Sequence, residues 1–131
     1  MPSWRMRAPS SRPNMPRQPR PDGVLLLDLI VAADDAMICG AGLDAQALAE
    51  AVMPRRAVLH ALMEVGEAAS RLSPAFRVAH PDIPWSAITG LRHRIVHDYA
   101  EVDLDIVVRV LRDELPGLVA ILRTRLPARQ G

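Results

Sequence analysis

Val58, Leu62, Val65, Ala69 and Leu72 recur at steps of four and three. That is the spacing at which an α-helix gathers side chains onto one face. His60, Glu64, Glu67 and Arg71 fall on the opposite side, and Glu67 stands four residues before Arg71, an order that supports a helix. A second stripe, Leu104, Val107, Val108, Leu111 and Leu115, repeats the pattern near the end of the chain. No stretch competes by alternating apolar and polar residues, and no internal repeat is evident. The chain is therefore expected to be all-α.

Punctuation residues set the other boundaries. Asp22 is placed to cap a first helix over 23–39, which Gly40-Ala41-Gly42 ends. A short helix is expected over 44–52. The next begins near Pro54, whose fixed φ and missing N–H suit a first helical turn. Residues 73–83, with Pro74 and Pro81, read as a loop. Pro84 opens a helix to about Ala100, and Asp103 caps the last long helix, which Pro116 kinks or restarts before a stop ahead of Pro127. Four or five such helices with short connections make an antiparallel bundle. Apolar residues nearly encircle the first helix at 24–31, which implies burial on two sides: against its own core and against a second surface, such as another subunit.

The 131 residues, half of them apolar, suffice for one domain with an aliphatic core, since Trp4, Phe76, Trp85 and Tyr99 are the whole aromatic set. Cys39 is the sole cysteine, which excludes an intramolecular disulfide and a cysteine-based metal site. Charge is uneven. Residues 1–21 hold five arginines, six prolines and no acid, and read as a disordered tail, either an RNA-attracting arm or a dispensable extension. Residues 22–131 hold eleven arginines against fifteen acids, a formal charge of −4. Such a domain is a poor dedicated high-affinity nucleic-acid binder, though an enzyme meeting RNA at one local site is allowed. Val24–Ala33 is too short to span a bilayer and is broken by Asp28, so a cytoplasmic protein is expected. The organisation expected is a tail over 1–21, a helical domain over 22–126 and a short tail over 127–131.

The chemistry concentrates in Gly90-Leu91-Arg92-His93-Arg94-Ile95-Val96-His97-Asp98-Tyr99. At about 100° per residue, Trp85, Ile88, Leu91, Ile95, Val96 and Tyr99 share one apolar arc. Arg92 falls inside that arc, while His93 and His97 sit together on its flank. An arginine there cannot shed its charge, so burial demands a carboxylate or a phosphate. Histidines beside it exchange protons near neutral pH. Together they are a minimal kit for cleaving RNA without a metal: one group assists loss of the 2′-hydroxyl proton and a cation stabilises the phosphorane. The bland alternative stays open on spacing alone, with Arg92 salt-bridged in a core or dimer seam, the two histidines on the surface and Tyr99 plain core. Metal binding by His93 and His97 lacks a third ligand, and His60 and His80 read as isolated surface residues.

Arg92, His97 and Tyr99 reproduce an Arg-x4-His-x-Tyr pattern, and in this the chain resembles the HepT proteins, HEPN-domain toxins of the MNT–HEPN toxin–antitoxin systems. The likeness extends to Glu64–Ser73, to Pro81-Asp82-Ile83-Pro84-Trp85 with Ile88–Arg92, to Val102–Asp105 and to Leu115-Pro116, covering roughly residues 23–126. The resemblance implies a HEPN bundle over 22–126 that dimerises so that Arg and His of both subunits line one cleft. It implies a metal-independent endoribonuclease with no cofactor, in which Arg92 and His97 are catalytic and His93 supports them. It also implies an MNT-type nucleotidyltransferase antitoxin that adds AMP to Tyr99. The alternatives are a non-catalytic HEPN subunit partnering that nucleotidyltransferase, and a purely structural helical dimer. The first helix departs from the family in being less charged, which fits a stickier dimer or antitoxin interface.

Overall fold

In the computed structural model the described residues are 20–97 and 101–127, with the backbone alone at Arg92 and at 94–97. All of the regular structure among them is helical. The longest elements are α1 (Asp22–Cys39) and α3 (Val52–Arg71), which pack on each other along their length. α2 (Ala45–Glu50) and α4 (Pro74–Ala79) are short connectors, and α5 (Trp85–His97) lies on the other flank of α3. The chain closes with α6 (Leu104–Arg109), a π-helical turn (Val110–Glu114) and α7 (Leu115–Thr124); α6 reaches α2 and α7 reaches α1.

The core is aliphatic. Leu26, Leu29 and Ala33 of α1 meet Val58, Leu62, Val65 and Ala69 of α3, all at 1% exposure or less, and the α3 stripe is the one read from the sequence. Leu115, Val119 and Leu122 of α7 close the layer. The other side of α1 does not close: Val24, Leu27, Val31 and Ile38 stand 39%, 50%, 50% and 72% exposed. Of the two burials expected for α1, the described residues supply one.

One cap falls where expected, at Asp103, and Asp44 supplies another at the start of the short helix. Asp44 Oδ1 accepts from the Ala47 N–H at 2.7 Å, and Asp103 Oδ1 accepts from Asp105 and Ile106 at 3.0 and 3.4 Å. Asp22 is a correction. Its own helix takes Pro21 as N-cap without a side-chain bond, and the Asp22 carboxylate accepts instead from the Ser73 N–H (2.8 Å) and hydroxyl (2.7 Å). Ser73 Oγ in turn accepts from Phe76 N–H at 3.1 Å, so α1 is tied to the start of α4. The loop expected over 73–83 is likewise corrected, because Ser73 as N-cap and Pro74 in the first turn make α4 a helix. It is six residues long and buries no residue fully, so it leaves no apolar stripe to read.

Gly40 ends α1 where close approach requires it. A Cβ there would lie 2.6 Å from Leu111 Cδ1 and 3.2 Å from Val58 Cγ2, while Gly42 turns the chain at φ +76°. At Pro116 the α-helix restarts as expected: after a π turn over Val110–Glu114, α7 begins at Leu115 with the proline in its first turn. The Leu115 N–H donates to the Val110 carbonyl five residues back, and the π turn absorbs the ring that would otherwise press on the preceding turn.

Candidate functional site

The candidate site lies on α5, and its first half is well anchored. Trp85 and Ile88 are buried against the core and Leu91 is half-buried. The Trp85 indole N–H donates to the His80 carbonyl at 2.9 Å, and Phe76 stands edge-on to the indole with ring centroids 6.0 Å apart. The Pro84 carbonyl accepts the Ile88 N–H at 3.1 Å, so the helix enters with its first turn already bonded.

This anchoring fixes the register of the second half of the helix. Trp85, Ile88 and Leu91 define the packed arc, and at about 100° per residue Arg92 occupies a position between Trp85 and Ile88 on that arc. His93 is exposed and lies about 100° further round. His97, the last residue of α5, is about 40° from His93 and about 140° from Arg92, some 7–8 Å along the axis. One helix therefore carries Arg92, His93 and His97 within two turns, but it points the positions of the proposed pair in different directions. Tyr99 lies outside the described residues, as does Asp98.

Beside α5 runs a groove of about 490 Å³ formed with α6, the π turn and α7. Ile88 and Leu91 contribute one wall, Ile106 and Leu118 the other, and the exposed Arg109 and Glu114 belong to its margin. The sequence reading missed Arg109 and Glu114, since on α6 and the π turn they look like ordinary solvated charges. Among the described residues no three His, Cys, Asp or Glu side chains are grouped to hold a metal.

His80 corrects another expectation. Far from standing alone on the surface, it is half-buried, its ring 4.4 Å from that of Phe76 and its Nδ1 2.8 Å from Arg125 Nη1. Arg125 also donates to both oxygens of Asp82, at 3.1 and 2.6 Å. That hydrogen bonding, reinforced by the guanidinium charge, holds the Asp82 carboxyl below its ordinary range. The clip joins the end of α7 to the loop that launches α5. His60 is exposed as expected and pairs with Glu64 at 2.9 Å. No helix among the described residues is long and apolar enough to cross a membrane.

Comparison with known proteins draws these observations together. The family model described as Ribonuclease HepT-like matches residues 29–125, which include α5 and the Arg92–Tyr99 pattern. A Methanocaldococcus jannaschii protein named "Putative RNase" is 29% identical over 93 residues, 71% of this chain and 85% of that protein. "Probable ribonuclease HepT" of Thermococcus cleftensis is 32% identical over 62 residues, 47% of this chain and 56% of its own length. A "Putative RNase" of Caldanaerobacter subterraneus subsp. tengcongensis is 35% identical over 63 residues, 48% of this chain and 56% of its own. The match thus spans most of the first relative and little more than half of the other two. No solved structure matches the chain significantly.

Proposed function

The chain belongs to the ribonuclease HepT-like family, and from that premise we propose that it is a metal-independent endoribonuclease toxin acting as a homodimer, with Arg92 and His97 of both subunits around one RNA phosphate. The observation that carries this reading is the register of α5. A straight helix with Arg92 and His97 positions about 140° apart is poorly placed to aim both at one phosphate. Two copies related by a two-fold axis do so more easily, with an arginine from one and a histidine from the other facing the same groove.

The chemistry rests on those groups. His97 takes the proton from the ribose 2′-hydroxyl, whose oxygen attacks the neighbouring phosphorus. Arg92 stabilises the charge that builds on the phosphorane. The bond to the 5′-oxygen breaks, that oxygen takes a proton, and a 2′,3′-cyclic phosphate remains. His93, exposed one turn before His97, supports the exchange of protons. The groove beside α5, with Arg109 on its margin, is the approach this reading gives to the strand.

Control of the toxin is proposed to act at Tyr99. A nucleotidyltransferase antitoxin would direct the Tyr99 hydroxyl onto the α-phosphorus of ATP, with pyrophosphate leaving. The attached AMP adds bulk and negative charge two residues beyond His97, where it competes with RNA phosphate for Arg92.

The test is expression of wild type and His97→Ala without antitoxin, with RNA cleavage assayed in EDTA. Wild type is expected to arrest growth and to leave cyclic-phosphate ends; His97→Ala is expected to do neither, a loss of at least about a hundredfold for a missing general base. Equal cleavage by both proteins removes His97 from the mechanism. Mass spectrometry after incubation with antitoxin and ATP is expected to find one AMP on Tyr99, and AMP on any other residue rejects the proposed control.

A further inference from the structure

Between α1 and α3 lies a groove of about 380 Å³ that the ribonuclease chemistry does not use. Its floor is small and apolar, with Leu25, Ala32 and Ala68. Its outer lip is formed by Leu27 and Val31, each 50% exposed. Acids outnumber bases around it: Asp28 and Asp35 from α1 and Glu64 and Glu67 from α3, against Arg20 and Arg71; Arg71 pairs with Glu67 at 3.3 Å and His60 with Glu64 at 2.9 Å. α1 as a whole carries four aspartates and no basic residue.

An apolar trough with acidic margins selects its occupant by charge as well as by shape. RNA is repelled from it. A second copy meeting it about a two-fold axis would set α1 aspartates against α1 aspartates. The chain itself holds a complementary segment. Residues 1–19 contain Arg5, Arg7, Arg12 and Arg17 and no acid, and Trp4-Arg5-Met6-Arg7 alternates apolar with cationic side chains. In an extended segment such alternation sends the two kinds to opposite sides. Arg20 already lines the groove and pairs with Asp28 at 3.2 Å, so the chain arrives at this site from its N-terminal side. The residues from Trp4 to Arg20 can span up to about 55 Å, twice the roughly 27 Å length of an 18-residue helix such as α1.

We propose that residues 1–19 dock on their own domain along the α1–α3 groove, Trp4 and Met6 against the Leu27–Val31 lip and Arg5 and Arg7 against Asp35 and Glu64. The tail covers the apolar face that α1 leaves open, and its arginines are held by carboxylates. This proposal is independent of the ribonuclease reading, and its test uses no RNA.

Trp4 and Trp85 are the only tryptophans, so acrylamide quenching of the full chain, compared with the full-length Trp4→Phe variant, isolates the Trp4 signal. Trp4 is expected to be shielded in the wild type at all protein concentrations. Its quenching constant should rise about twofold in an Asp35→Arg/Glu64→Arg variant, and also in NaCl of about 1 M, where the Debye length falls to about 3 Å. Leu27→Arg, at an exposed position, should release Trp4 while leaving the helical circular dichroism unchanged. Trp4 quenched alike in the wild type and in both variants overturns the proposal. So does shielding that vanishes on dilution, which would make a second copy the occupant.

Discussion

Both sides of α1 carry large apolar residues, and their fates are opposite. Leu26, Leu29 and Ala33 have no exposed surface, while Leu27 and Val31 remain half exposed and Ile38 more so. The outer side also carries Asp28, Asp34 and Asp35, and α3 offers its continuous apolar stripe to the inner side alone. A helix that is apolar nearly all round thus reports that two surfaces are wanted, without saying where the second comes from.

Substitutions that contrast the two sides sharpen this point. Leu29→Ala should cost about 2–5 kcal/mol, lost transfer energy plus a residual cavity, whereas Leu27→Ala two residues earlier should stay within about 0.5 kcal/mol in the domain itself. Urea denaturation of both variants checks the pair, and equal costs would mean that α1 buries both faces in solution. Gly40→Ala tests the close end of the inner side: with its Cβ 2.6 Å from Leu111, it should lose about 1–3 kcal/mol by overpacking. The smallest effect is expected at Asp82, at the far end of the bundle. Its carboxyl is held below the ordinary value by Arg125, so the clip stabilises the fold above the unfolded carboxylate pKa and fades as pH falls through the lower folded value. Asp82→Asn should therefore lower the melting temperature slightly at pH 7, with the difference from wild type shrinking toward pH 3.

How much of this was legible depended on the range of the interaction. Asp44 and Asp103 cap helices two or three residues away, and a local pattern suffices to find them. Asp22 has the same side chain in a similar place, yet it bonds Ser73, 51 residues on, and no local rule announces that. Ser73-Pro74 did carry a helix-start signal for α4, but six residues without a buried stripe gave periodicity nothing to confirm it. His80 was misread for the same reason as Asp22, because its partner Arg125 lies 45 residues away. At the candidate site the helical positions of Arg92, His93 and His97 came from spacing once Trp85 and Ile88 set the register. Arg109 and Glu114 did not, since only the packing of α6 and the π turn beside α5 makes them its neighbours.

The π turn has a mechanical consequence. Val107, Leu111, Leu115 and Val119 are buried at steps of four, and in an uninterrupted α-helix each such step slips about 40° around the axis. The wide turn at Val110–Glu114 takes up part of that slip. It behaves as a slack link in an otherwise stiff rod, letting the front half grip α2 while the rear half stays aligned with α1. Excising one residue of that slack would rotate Leu115, Val119 and Leu122 by about 100° and unseat the rear half alone.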